Sequence, residues 1–236
     1  MAKVGDIIHA ENSQWRFSEI SGINFDRHIK RSIPFYEEGH RLILEISDYF
    51  IKENSVCYDL GCSTGHLTGS LAKRHRKKTL KIIGIDKEEN MVKEAEKNCS
   101  HQEEVAVVVG DISDFHYLPS DLIIAYYTVQ FLALPKRPPL FERIYSNLKP
   151  GGALVMFEKV LAPDSQTQEI LSGLYHEHKL KQGFSGEEII NKARSLKGVL
   201  VSQTSKENLQ QLENAGFTKI SPIFRHLCFE GLLAIR

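Results

Sequence analysis

The residues best arranged for chemistry lie in one phrase, Val56-Cys57-Tyr58-Asp59-Leu60-Gly61-Cys62-Ser63-Thr64-Gly65. Strand formers run into an acid, then into Gly-x-Ser-x-Gly, and an amphipathic stretch follows. Glycine at 61 and 65, with the small Ser63 between, lets backbone approach a bound molecule where side chains would block it. The helix beyond offers free N–H groups in its first turn. Two further acids end apolar runs: Asp86 closes Leu80-Lys81-Ile82-Ile83-Gly84-Ile85-Asp86, and Asp111 follows Val105-Ala106-Val107-Val108-Val109-Gly110. A carboxylate about twenty residues beyond the glycine loop suits a two-point grip on ribose hydroxyls. Asp111 can accept from an adenine amino group while the N–H of Ile112 donates to the ring. Asp86 or Asp111 alone could also be a helix N-cap. With the glycine loop they describe a crevice for a nucleoside-bearing ligand.

The elements that must position these residues can be read from periodicity. Helical spacing of Leu42, Ile46, Tyr49 and Phe50 predicts a helix over 38–52, ahead of a strand ending at Leu60. A helix over 67–78, a strand over 80–86, a helix over 87–100 and a nearly all-apolar strand over 104–112 follow. Residues 120–132 read as a fourth strand running into a turn. Residues 138–152 read as a helix stopped by Pro150-Gly151-Gly152, before a fifth strand to Leu161. This alternation predicts a mostly parallel sheet with helices on both faces, and it places the three acids on one edge. Residues 1–40 read as a loosely helical arm or lid carrying Trp15, Phe17, Phe25, Phe35 and Tyr36. Residues 164–204 read as a polar helical insertion, 205–215 as a helix, and the end of the chain as two strands around Glu230-Gly231. The 236 residues are expected to form one domain.

Composition excludes several classes. Thirty basic and thirty acidic residues leave no net field to gather a polyanion, so direct nucleic-acid binding is not expected. The basic run Lys73–Lys78 reads as a solvated helix end. No apolar stretch is long enough to span a bilayer, and the N-terminal residues have no secretory pattern. Cys57, Cys62, Cys99 and Cys228 show neither disulfide nor metal spacing, so a reducing cytoplasm and no metal are expected.

The glycine spacing differs from the Gly-x-Gly-x-x-Gly of dinucleotide enzymes, and no Tyr-x-x-x-Lys pair accompanies it. It resembles the loop of class I S-adenosylmethionine (SAM) methyltransferases, as do Leu148-Lys149-Pro150-Gly151-Gly152-Ala153-Leu154 and Asn214-Ala215-Gly216-Phe217. That resemblance implies a Rossmann-like α/β fold, a seven-stranded, mostly parallel sheet with an antiparallel C-terminal hairpin. It also implies SAM as cofactor and S-adenosylhomocysteine as the methyl-transfer product. More narrowly, Arg31-Ser32-Ile33-Pro34-x-Tyr36, Tyr58-Asp59-Leu60-Gly61-Cys62-Ser63, Gly110-Asp111-Ile112, Gln130-Phe131-Leu132, Glu158-Lys159 and Gly183-Phe184-Ser185 resemble carboxy-S-adenosylmethionine synthases over about residues 25–235. The family combines SAM with prephenate, is homodimeric, and serves tRNA wobble-uridine modification. It implies cofactor contacts from Tyr36, Gly61, Cys62, Ser63, Asp86, Lys87, Asp111 and Ile112, to which Asp59, Gly65 and Tyr126 are added from their places at the strand tips.

Where the family has an arginine that pairs with the added carboxylate, a count without gaps from Gly183-Phe184-Ser185 gives Ala193. Arg194 is one residue on, about 100° around a helix. Alanine cannot replace a bidentate grip. The expected activity is therefore ordinary methyl transfer to a small-molecule acceptor. Carboxy-SAM synthesis, with Arg194 or Lys192 supplying the cation after a helix shift, is the alternative, and a non-catalytic SAM-binding protein is another. Methyl transfer needs mainly alignment and exclusion of water. Tyr126 and His176 are the candidate catalytic residues. Tyr126 and Tyr127 have aromatic packing as the competing role, and His176 and His178 a solvated helix face.

Overall fold

The computed structural model describes residues 1–236. The strands are β1 (Ala2–Gly5), β2 (Ile8–Ala10), β3 (Ser55–Leu60), β4 (Leu80–Asp86), β5 (Val105–Val109), β6 (Ser120–Tyr126), β7 (Leu148–Leu161), β8 (Gln203–Thr204), β9 (Lys219–His226) and β10 (Phe229–Ile235). The helices are α1 (Gly22–Ser32), α2 (Tyr36–Phe50), α3 (His66–His75), α4 (Glu89–Asn98), α5 (Arg137–Asn147), α6 (Ser165–Lys181), α7 (Gly186–Ser195) and α8 (Ser205–Asn214).

The main sheet runs β5-β4-β3-β6-β7-β10-β9, and the two-residue β8 adds to β7 off this path. The pairs from β5 to β7 are parallel, whereas β10 is antiparallel to both β7 and β9. This is the Rossmann-like, mostly parallel sheet with an antiparallel C-terminal hairpin. Strand order reverses between β3 and β6, so a crevice opens beyond their carboxyl ends. One core packs Ile43, Ile51, Leu67 and Leu71 of α2, its C-cap and α3 on one face. The other packs Leu140, Phe141, Ile144, Leu212 and Phe217 on the opposite face. No helix is long and apolar enough to cross a membrane.

Two expectations need correction. Residues 1–40 are not helical throughout: β1 and β2 form an antiparallel hairpin. Its turn uses left-handed backbone at Gly5, Asp6 and Ile7 (φ 102°, 51° and 65°). Val4, Ile8 and Ala10 bury themselves with Trp15, Ile20 and Met91. Strands of four and three residues are too short to register as a period. At the other end the chain turns at Leu227-Cys228, and Glu230-Gly231 lies inside β10. Gly231 is there for packing: a Cβ would stand 2.6 Å from the Phe157 ring. Gly231→Ala is expected to cost ~1–3 kcal/mol by overpacking, lowering Tm by about 2–10 °C in a thermal melt.

The basic run at the end of α3 is mostly exposed, as Lys73, Arg74, Arg76 and Lys77 show, with two of its cations anchored. Arg74 donates to Asp48 through Nε (2.8 Å) and Nη2 (2.5 Å), and Lys78 donates to the Ile51 carbonyl at 2.6 Å. All four cysteines are free and buried.

Candidate active site

The crevice is a cavity of about 1080 Å³. The glycine loop forms one wall through its backbone. It coils because Gly61, Ser63 and Gly65 are all left-handed (φ 72°, 49° and 77°). The reason for each glycine is not ligand approach alone. A Cβ on Gly61 would come 2.5 Å from Thr128, whose hydroxyl donates to the Leu60 carbonyl at 2.7 Å. Gly65 stands off the cavity wall, and a Cβ there would meet Ala95 at 2.9 Å. The missing side chain lets α4 pack against the loop.

Asp59, Gly61, Cys62 and Ser63 from β3 and its loop border the cavity, as do Asp86 and Lys87 from β4. Asp111 and Ile112 border it beyond β5, and Tyr36 and Tyr126 from the other side. Asp86 Oδ2 accepts from the Ser63 N–H (2.9 Å) and Oδ1 from the Glu88 N–H (3.0 Å). These bonds brace the loop and leave acceptor capacity on both oxygens. Burial raises the Asp86 carboxyl above its ordinary range, with the two backbone bonds opposing. Asp111 accepts from the Ser113 N–H and hydroxyl at 2.8 and 2.7 Å; burial pushes its carboxyl up, but these bonds and Lys136 bring it below the usual value. Asp59 is buried and accepts from the Thr68 hydroxyl at 2.6 Å; burial pushes its carboxyl up to about 6. Its place is under the loop, holding α3.

The carboxylates, the bare loop and the apolar Met91, Ile112 and Phe131 of the same wall fit an adenosyl group: acceptors for hydroxyls and amino hydrogens, and flat apolar contact for the base.

The two catalytic candidates, Tyr126 and His176, both border the cavity. The Tyr126 hydroxyl donates to the Tyr36 carbonyl at 2.6 Å, and its ring fills the space that a side chain on Gly39 would need. Burial raises its ionisation far above the usual range, which keeps the hydroxyl a hydrogen-bond donor. It packs α2 against β6. His176 borders the cavity but is exposed on α6, and modest burial with Lys179 and Lys159 lowers its pKa. Glu158, buried, accepts from the Val129 N–H at 3.1 Å.

The opposite end of the cavity is cationic. Lys159, Lys179 and Lys192 all border it, and Lys179 and Lys192 are buried. None of the three forms a salt bridge within the protein. The Lys179 and Lys159 ammoniums lie 4.1 and 5.1 Å from the centre of the Tyr175 ring. Burial, then Lys159, brings Lys179 down to about 7. Burial, then Lys179 and Lys159, brings Lys192 well below its ordinary value. Arg194 is exposed and outside the cavity wall, whereas Lys192 is inside it. The cation on α7 therefore comes from the residue before Ala193.

Sequence reasoning missed Lys179 and Asp26. Asp26 accepts from Thr64 Oγ1 (2.7 Å) and sits 3.0 Å from His66 Nε2, tying α1 to the glycine loop. Nothing local marks either residue; the burial of Lys179 and the partners of Asp26 depend on which helix covers the crevice. The Arg-Ser-Ile-Pro element, by contrast, has a physical reason in the fold. Arg31 donates twice to the Gln182 carbonyl (2.9 and 2.6 Å), and the Ser32 hydroxyl accepts from Lys192 at 2.9 Å.

A sheet of this order, with acids at successive strand tips around a glycine loop, defines a SAM-dependent transferase of the class I methyltransferase fold. A methyltransferase-domain profile matches residues 57–152. Human N-acetylserotonin methyltransferase, solved in complex with SAM, superposes with a TM-score of 0.62 at 21% identity, covering 91% of this chain and 55% of that one. The carboxy-S-adenosyl-L-methionine synthase of Staphylococcus epidermidis is 34% identical over 224 residues, 94% of this chain and 97% of the relative. That of Wolinella succinogenes is 37% identical over 228 residues, 94% and 93% of the two chains. The chain belongs to the carboxy-S-adenosyl-L-methionine synthase family.

Proposed function

We propose that this protein carboxylates the methyl group of SAM, using an anionic carboxyl donor such as prephenate, rather than passing the methyl to an acceptor. The methyl C–H bond breaks and a C–C bond forms to the carboxyl that prephenate loses; prephenate also expels its ring hydroxyl as hydroxide, which leaves with the methyl proton as water, and the donor ends as phenylpyruvate. The observation that carries this reading is the lysine end of the cavity. Lys159, Lys179 and Lys192 have no carboxylate partner in the protein, and a buried amine such as that of Lys179 or Lys192 holds its charge readily only beside an anion. A donor with carboxylate groups supplies what is missing. The expectation of simple methyl transfer rested on Ala193; Lys192, on the cavity wall, supports the carboxylating alternative instead. Lysine gives a point charge rather than a fork, so orientation must come from the other two amines and from Tyr127 and Tyr175, which border the same space.

The bound cofactor would supply a methyl carbon activated by its sulfonium. The glycine loop, Asp86 and Asp111 would hold it, and the lysines would bind and orient the second substrate. Lys179, with its pKa at about 7, can hold or release a proton at Nζ near neutrality. The S. epidermidis and W. succinogenes relatives, named as carboxy-SAM synthases, support the same reading. We also place the protein in the cytoplasm, as a homodimer.

Incubation with SAM and prephenate, followed by mass spectrometry, is expected to yield carboxy-SAM. Absence of that product, together with S-adenosylhomocysteine release when methyl acceptors are added, would restore simple methyl transfer. A second expectation follows from the depressed amines. In the free protein they are largely deprotonated above their lowered pKa values; an arriving carboxylate favours the charged form. Binding therefore takes up protons and weakens as pH rises through and above about 7, where Lys179 titrates. Calorimetry of prephenate binding in buffers of differing ionisation enthalpy reads that uptake directly.

A further inference from the structure

The hairpin formed by β1 and β2 reaches the lysine end of the cavity through a single histidine. Asp6, in the turn of the hairpin, has a buried carboxylate despite its left-handed backbone. Its Oδ2 lies 3.1 Å from His28 Nδ1, and its Oδ1 accepts from Arg31 (2.6 Å) and pairs with Arg27 (3.1 Å). On the other side of the ring, His28 Nε2 meets Lys192 Nζ, which also donates to Ser32 Oγ. His28 is 1% exposed, held between Trp15 (centroids 5.7 Å apart) and Phe184 (5.3 Å).

With the ring neutral, the bonding leaves one arrangement. An ionised carboxylate has no proton to donate, so His28 Nδ1 carries the hydrogen that faces Asp6. A neutral ring then presents only a lone pair at Nε2, and that lone pair accepts from Lys192. When Lys192 is an ammonium, two of its three N–H bonds are committed to His28 and Ser32, and the third is free for a ligand in the cavity. We propose that Asp6 and His28 are a positioning pair for Lys192, fixing its amine at the cavity wall, and that the N-terminal hairpin is thereby part of the active centre. The inference rests on the reading of Lys192 as a carboxylate-binding group.

Every charged neighbour of the relay bears on its pH behaviour. Asp6 comes from the hairpin, Arg27 and Arg31 from α1, Lys159 from β7, Lys179 from α6 and Lys192 from α7. Burial, then Lys192, Lys179 and Arg31, hold His28 far below its ordinary pKa, so the ring stays neutral. Asp6 alone among them favours the ammonium form of Lys192. The pair thus works against the other two lysines.

The test uses the full chain labelled with ¹⁵N histidine and lysine. In the wild-type protein His28 is expected as the Nδ1–H tautomer throughout pH 5–9. In Asp6→Asn the tautomer is expected to mix or invert, and the Lys192 Nζ signal, assigned with Lys192→Met, to titrate at lower pH. A His28 ring protonated at Nε2, or one titrating like an exposed imidazole, overturns the proposal. His28→Leu supplies the kinetic arm: KM for prephenate is expected to rise at least about tenfold with SAM affinity within about twofold, as for removal of one partner of a buried polar contact. His28→Gln, which can donate to Asp6 and accept from Lys192, is expected to recover most of the loss. An unchanged KM and pH profile in His28→Leu also overturns it. The NMR arm needs no turnover, so a correct tautomer without carboxy-SAM would count against the proposed reaction and not against the pairing.

Discussion

Lys192→Met is expected to abolish most use of the anionic co-substrate while leaving SAM binding within about twofold. Truncating one side of a buried, hydrogen-bonded charge contact costs ~2–5 kcal/mol, which corresponds to about 30- to 4000-fold in kcat/KM. The stability effect should be small, because two consequences oppose each other. Methionine removes an amine that is buried without a carboxylate, which favours folding. It also leaves Ser32 Oγ and His28 Nε2 without their donor, which does not. A fall in kcat/KM matched by loss of SAM affinity or a collapse of Tm would mean that Lys192 is a structural residue. Arg194→Ala is the internal control, since Arg194 is exposed and off the cavity wall; it is expected to leave the reaction unchanged.

Asp86→Ala is expected to weaken SAM binding at least tenfold, about 1.4 kcal/mol or more, since hydrogen bonds to a charged acceptor are worth ~1.5–3 kcal/mol each. The substitution removes both the acceptor for the ribose and the bonds to the Ser63 and Glu88 N–H groups that hold the loop. Comparison with Asp86→Asn separates the two, because asparagine keeps one oxygen acceptor for the loop. Isothermal titration with SAM decides the matter, and wild-type affinity in Asp86→Ala would remove the ribose assignment.

The parts of this molecule that could be read in advance are those whose physics is local. β4 and β5 announce themselves by apolar runs that a strand covered on both faces requires, and the loop from Gly61 to Gly65 by residues that tolerate left-handed backbone. Asp86 and Asp111 then follow from where those strands end. The rest depends on distant partners. The packing of α4 against Gly65 shows only once the two are laid together, and Gly231 reads as a turn until Phe157 occupies the missing side chain's place. Lys179 is one of several lysines on a polar helix, distinguished only by the Tyr175 ring and the cover above it. Asp6 and His28 are 22 residues apart, and Lys192 is a further 164 beyond His28, so no spacing rule connects them.

The seating of β1 against α7 has one more consequence. Asn191 Nδ2 donates to the Lys3 carbonyl across 188 positions of sequence, and the Ser13 and Trp15 N–H groups donate to the carbonyls of Arg194 and Ser195. Contacts that close so large a loop reward the chain only after the intervening sheet has assembled. The sugar-gripping end of the crevice is built into that sheet, whereas the amine-bearing end waits for a late clasp. Under mild denaturant, amide exchange should therefore loosen the clasp first, leaving a protein that still holds nucleoside but has lost its grip on acids.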